Sequence, residues 1–163
     1  MFKIVVSAFV LAAAVMAPAT AAAQKLVFVA RHAERADAPA LDQEDPILSP
    51  IGRERAIRLA AMLRDAGIDA VYVTKYRRTQ QTASPLATHL NVQPALTPDT
   101  VPELVSTLKA RHADDIVLVV GHSTTVPAIV RALSGLVVSL DDADYTSLFV
   151  VVPANGTAAR VRY

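Results

Sequence analysis

The chain has no cysteine among its 163 residues. That excludes disulfides, thiolate metal sites and thiol nucleophiles. Neither sign of charge dominates: 16 lysines and arginines face 15 aspartates and glutamates. Nothing in that balance selects nucleic acid or an anionic membrane surface as a partner. There is no His-Glu-x-x-His, and the four histidines are scattered. The closely spaced ligands of a metallohydrolase are missing, and no metal or cofactor is expected. Aromatic residues are scarce, at 5%, although 53% of the chain is hydrophobic. Part of that apolar excess lies in one N-terminal run rather than in a core.

Lys3 precedes Ile4–Met16, an unbroken run of apolar and small residues. Pro18 and Ala19-Thr20-Ala21-Ala22-Ala23 follow. A basic start, an apolar centre and a small-residue exit are the parts of a secretory signal peptide. The run is shorter than the about 20 residues of a bilayer span. The sequence predicts a signal peptide over residues 1–23, cleaved after Ala21 or Ala23, with a retained membrane anchor as the alternative. It predicts export to a bacterial periplasm, one domain over residues 24–163, and no stable membrane insertion after cleavage. Loss of Lys3 would leave 15 basic residues against 15 acidic ones.

Beyond residue 24 no repeat or low-complexity segment occurs. Lys25–Ala30, Asp69–Val73 and Ile116–Val120 read as buried strands, and Val92–Leu96 as a short one. Ser49-Pro50 opens a helix, with serine as N-cap and proline at the first position. Ala56, Leu59, Ala60 and Leu63 form its inward face. Arg53, Arg55, Arg58 and Arg64 form its wet face, and Gly67 its stop. Thr79–Leu90 is helical, with a place for interruption at Ser84-Pro85. Asp99 or Thr100 caps a helix over Val101–Arg111. Thr124–Leu133 is a helix with Val126, Ile129, Val130 and Leu133 as its buried stripe. Leu148–Val152 and Ala158–Tyr163 close the chain around the turn Ala154-Asn155-Gly156. This alternation predicts an α/β three-layer sandwich, a mostly parallel mixed sheet with helices on both faces.

Two of these strands lead into histidine. Arg31-His32 follows Leu26–Ala30, and His122 follows Ile116–Gly121. In open α/β sheets, ligands bind outside the carboxyl ends of the strands. One sheet edge therefore receives both histidines and Arg31. The cationic segment Thr74–Ala83, with Arg77 and Arg78, leaves the second strand at the same edge. Arginine matches a phosphoryl group with a planar fork of donors. Helix N-termini near Arg78 and Ser123 add positive dipole ends. The set predicts a pocket for a dianion, with phosphate as the natural guest. Ser123 either caps its helix or contacts phosphate, and Arg77 faces solvent or supports the phosphate ligands from behind.

Four segments, in order and at the expected strand ends, resemble the motifs of the histidine phosphatase superfamily, which has the phosphoglycerate-mutase-like fold. They are Arg31-His32-Ala33-Glu34, Leu48-Ser49-Pro50-Ile51-Gly52, Arg78-Thr79-x-x-Thr82-Ala83 and Gly121-His122-Ser123. The resemblance spans nearly all of residues 24–163. It implies that His32 is a nucleophile that forms a phosphohistidine intermediate, which water then hydrolyses. It implies that Arg31, Arg78 and His122 hold the transferring oxygens. A neutral imidazole nitrogen suits the first role. Phosphoryl transfer is otherwise mainly positioning plus electrostatics, which fixed cations provide.

Two departures from the family pattern stand out. Ala33 occupies a position that is usually glycine. The family's general acid lies between the second arginine and the second histidine, where this chain offers Asp99, Glu103, Asp114 and Asp115. The last two precede a strand and so lie at the wrong edge. Asp99 is preferred on position, with a helix N-cap as its structural alternative, and Glu103 is the other candidate. Glu34 reads as a loop or salt-bridge residue, and His89 and His112 as structural. Arg111-His112-Ala113 repeats the letters of Arg31-His32-Ala33, yet it precedes a strand and faces the opposite edge.

The predicted function is metal-independent hydrolysis of a phosphate monoester. The alternative is a catalytically inactive phosphate-binding or interaction module of the same fold. Mutases of the superfamily carry longer insertions; this chain is most similar to the short bacterial branch that includes protein-phosphohistidine phosphatases. Export disfavours that substrate, because phosphorelays are cytoplasmic, and favours a small-molecule or envelope phosphate monoester. The loop Ala33–Leu48, with Arg35, Asp37, Asp42, Glu44 and Asp45, is placed as one wall of the pocket. The sequence leaves the substrate and the oligomeric state open.

Overall fold

The computed structural model describes residues 25–37 and 44–163. The predicted signal peptide and the loop residue Asp42 lie outside them. Along the chain come β1 (Leu26–Arg31), α1 (Pro50–Leu63), β2 (Ala70–Val73), α2 (Arg77–Leu90) and β3 (Ala95–Leu96). Then follow α3 (Val101–Arg111), β4 (Ile116–Gly121), α4 (Thr125–Ser134), β5 (Ser147–Val152) and β6 (Thr157–Arg162). The described strands form one sheet in the order β3-β2-β4-β1-β5-β6. The first four are mutually parallel, and β5 is antiparallel to both β1 and β6. The sheet is mixed, as the closing hairpin predicts.

Alternation along the central strands fills both faces. Val27, Val29, Val117 and Val119 pack with Leu104 and Leu108 of α3 and with Val126, Ile129 and Val130 of α4. Phe28, Ala30, Leu118 and Val120 pack with Leu59 and Leu63 of α1 and with Ala83 and Leu86 of α2. Continuous apolar strands are what two covered faces require. Among the described residues no helix is long and apolar enough to cross a membrane.

Ser49 caps α1, its Oγ accepting from Gly52 N–H at 3.0 Å. Gly52 is where α1 meets the loop after β1: a Cβ there would sit 2.2 Å from the Glu34 carbonyl oxygen. Only a residue without a side chain allows that approach.

Several expectations are corrected. The helix α2 starts at Arg77 and passes through Pro85 without a break. Proline removes one backbone bond, but Thr82, Ala83, Leu86 and Ala87 are buried on either side of it, and burial of that face holds the helix together. The stop of α1 comes earlier than Gly67: Arg64 is the C-cap, and Gly67, at φ +69°, serves the following turn. Arg55 leaves the wet face of α1 for a bidentate pair with Glu34, its Nε 2.8 Å from both carboxylate oxygens. Thr100, not Asp99, caps α3, and Glu103 closes a capping box with it. The short strand shrinks to β3, and the final turn is a 3-10 helix, Pro153–Asn155, followed by Gly156 at φ +60°.

Candidate active site

Register builds the site. Arg31 is the partner of Gly121 across β1 and β4, and Val73 is the partner of Val120 across β2 and β4. The next residues are His32, His122 and Thr74, so three side chains leave adjacent strands at one edge. The His32 N–H continues the ladder to the Gly121 carbonyl at 2.9 Å. The two imidazoles meet edge-on, with ring centroids 5.3 Å apart.

His32 is 4% exposed. Its Nδ1 lies 2.8 Å from the Ala33 carbonyl oxygen. A carbonyl only accepts, so Nδ1 carries the proton and Nε2 keeps its lone pair. Among the described residues no hydrogen bond reaches that Nε2. Burial, joined by the positive surroundings of His122, Arg31 and Arg78 and opposed by the Ala33 bond, pushes the His32 pKa down to about 3. Burial, then Arg78 and Arg31, pushes His122 down to about 4. Both rings are therefore neutral at pH 7. The His122 ring is held by Thr74, whose Oγ1 is 3.1 Å from Nε2, and Thr74 is held by Thr79 at 2.9 Å.

Two arginines flank the pair in matching ways. The Arg31 guanidinium stacks 4.1 Å over Tyr145, and that of Arg78 stacks 4.2 Å over Tyr76. Arg31 Nη1 donates to the Asp142 carbonyl at 2.7 Å and touches those of Asp141 and Asp144. Arg78 Nη1 reaches the Glu44 carbonyl at 3.4 Å and the Asp45 carboxylate at 3.7 Å. In each arginine the buried Nε has no hydrogen-bond partner. Buried guanidinium donors are normally satisfied, so these two fit an oxyanion placed between them.

The resulting cavity, of about 450 Å3, is lined by Arg31, His32, Arg78, His122 and Ser123, together with Arg35, Tyr76, Thr124, Asp142 and Tyr145. Ser123 faces it and does not cap α4, whose N-cap is Thr124. Asp99 stands elsewhere: it lines a neighbouring cavity that shares Tyr76 and His122 with this one. Glu103 is exposed and held by Thr100. Arg77 is exposed, and its backbone N–H donates to Asp45 Oδ1 at 2.8 Å. Among the described residues no three His, Asp or Glu side chains group as metal ligands.

Ala33 needs no glycine. Among the described residues the one non-glycine with positive φ is Asn91, so no left-handed backbone is demanded at Ala33. Its methyl packs with Leu48 and Ala56, and its N–H donates to Thr82 Oγ1 at 2.9 Å. That bond explains the threonine in the third motif.

The model of the histidine phosphatase superfamily (branch 1) matches residues 27–104. Over that span the chain is similar to the histidine phosphatase superfamily. The matched span contains Arg31, His32 and Arg78 and ends before His122. Solved structures with the superfamily's fold agree along most of the chain. The protein histidine phosphatase SixA complexed with tungstate has 21% identity and a TM-score of 0.67, over 83% of this chain and 94% of its own. A mycobacterial glucosyl-3-phosphoglycerate phosphatase has 14% identity and a TM-score of 0.63, over 85% and 98%. A proposed phosphohistidine phosphatase SixA from Nakamurella multipartitia has 23% identity and a TM-score of 0.59, over 84% and 93%. No curated protein matches.

Sequence reasoning missed Tyr76, Tyr145, Asp142 and the carbonyls that hold Arg31. A signal for the last three exists. Because β5 is antiparallel, its N-terminal end lies at the edge where parallel strands end. The polar segment Asp141–Tyr145 therefore had to arrive beside His32.

Proposed function

We propose that the protein is a metal-independent phosphatase that hydrolyses a phosphate monoester through phosphorylation of His32. One observation carries this reading: His32 presents a fixed lone pair at Nε2 between two arginines whose Nε donors are unengaged. Nε2 attacks phosphorus, and the bond from phosphorus to the ester oxygen breaks. The leaving oxygen takes a proton from a rim carboxyl group and departs as an alcohol. The positive charge that grows on the ring is met by the Nδ1–H bond to Ala33. Water then attacks the phosphohistidine, the P–N bond breaks, and the water's proton restores the carboxyl. Arg31, Arg78 and His122 hold the oxygens throughout, with Ser123 at the helix end.

Asp99 remains our choice of acid. Glu103 is committed to the α3 cap, and Asp99 lines the cavity adjoining His122. Structures of related folds in complex with tungstate and with inorganic phosphate support an oxyanion as guest. The N-terminal pattern supports action on a small or envelope phosphate monoester in the periplasm.

The test is turnover of an aryl phosphate in the presence of a chelator, by protein lacking residues 1–23, across about pH 4 to 8. Aryl phosphates need little help from an acid, so the assay isolates the nucleophile. Chelator-resistant turnover that disappears in His32→Ala is expected. No turnover in the wild type, with phosphate still protecting the fold against heat, would instead select a non-catalytic phosphate-binding module.

A further inference from the structure

The cavity beside the phosphate pocket encloses about 450 Å3 and is lined from β3, α3, β4 and α4. Tyr76 and His122 border both spaces. Their rings, 5.3 Å apart and nearly perpendicular, form the partition. The two spaces differ in chemistry. The phosphate pocket is cationic. The floor of the second is apolar: Leu104, Val119, Val120 and Ile129 are each no more than 3% exposed. Leu96 and Val101 extend that wall outward. Its charged lining residues, Lys75 and Asp99, are exposed and so stand at the mouth.

We propose that this cavity is the leaving-group subsite and that it selects esters of neutral, apolar alcohols, alkyl or aryl. The inference rests on the phosphatase reading and adds the substrate class to it. An ester whose phosphorus sits beside His32 and His122 has its alcohol portion directed past the Tyr76 ring. A second ionised group carried to the floor would lose its water against Leu104 and Ile129, where the lining offers threonine hydroxyls but no charged partner, Lys75 and Asp99 standing at the mouth. A hydrocarbon chain gains with every methylene it removes from water. The position of Asp99 at the mouth also puts a carboxyl group on the side of the departing alcohol.

The experiment compares kcat/KM for ethyl, butyl and hexyl phosphate in the wild type and in Leu96→Asp. Leu96 is 60% exposed on an edge strand, so the substitution leaves the core intact. We expect a rise of about tenfold or more from ethyl to hexyl in the wild type, shrinking to within about threefold in the variant. A flat series in the wild type, with His32-dependent turnover present, overturns the subsite and leaves the phosphatase reading standing. If no alkyl ester is turned over, the aryl phosphate assay decides the phosphatase reading, and thermal shifts with ethyl- and hexylphosphonate decide the subsite. A larger shift with the hexyl compound supports it, and equal shifts overturn it.

Discussion

The tripeptide Arg-His-Ala occurs twice, at residues 31–33 and 111–113, and the two copies have opposite fates. His32 uses one ring nitrogen on the Ala33 carbonyl and turns the other to a cationic cavity. His112 spends both: Nδ1 is 2.8 Å from Asp115, and Nε2 is 2.9 Å from the Tyr72 hydroxyl. Arg31 is 5% exposed and cupped by carbonyls, whereas Arg111 is exposed at the end of α3. The difference comes from chain direction. The first copy ends a parallel strand and the second precedes one, so they lie at opposite edges of one sheet. The contrast lies in a nitrogen that the fold leaves without a hydrogen-bond partner, facing a cavity lined by Arg31 and Arg78.

The largest effect expected is the contrast between the two histidines. His32→Ala lowers kcat/KM by about 10³-fold or more. His112→Ala leaves kcat within about twofold and costs about 1–3 kcal/mol of stability, because Tyr72 and Asp115 lose their partner. Steady-state kinetics and urea unfolding measure both. A large loss of kcat in His112→Ala would break the comparison.

The arginines sharpen it. Arg78→Ala and Arg31→Ala each lower kcat by about 10²–10³-fold, whereas Arg111→Ala changes it little. A smaller loss follows from Asp144→Ala. The Asp144 carboxylate accepts from Ser147 Oγ at 2.8 Å and Thr146 N–H at 3.1 Å and pairs with Arg160. It thereby fixes the segment whose carbonyls hold Arg31. We expect about a tenfold loss of kcat/KM in a folded protein, largely recovered in Asp144→Asn, which keeps the acceptor.

Gly52→Ala tests the seam between α1 and the loop carrying Ala33 and Glu34. It should cost about 1–3 kcal/mol, read by thermal unfolding, because the new methyl meets a backbone oxygen. The last test is of pH. The folded protein holds His32 at about 3 and His122 at about 4, below the 6.5 of a free histidine. Between those values the unfolded chain binds protons that the folded one refuses. Stability from these groups is full above about pH 6.5 and falls as pH drops toward 4 and then 3. Unfolding curves taken at successive pH values should show this decline, and His32→Ala should flatten it.

Much of the site was legible because it depends on strand ends. Arg31, His32, Arg78 and His122 needed only the alternation of elements and the rule for parallel strands. Tyr145 and the carbonyls of Asp141, Asp142 and Asp144 needed the direction of β5 as well. Arg55 looked wet by periodicity; its pairing with Glu34 arises from a loop folding onto α1, which no local pattern records. Pro85 looked like a break because propensity is local and the burial that overrides it is not. The alternative between Asp99 and Thr100 as cap turned on a single hydroxyl, Thr100 Oγ1, taking the Glu103 N–H.

The most direct measurement is a rapid-quench trap of the phosphoenzyme from a 32P-labelled aryl ester, in the wild type, His32→Ala and His112→Ala. The account predicts an acid-labile, alkali-stable label in the wild type and in His112→Ala, mapping to the peptide that contains His32, and none in His32→Ala. A label that survives in His32→Ala, or that maps to another residue, would contradict it.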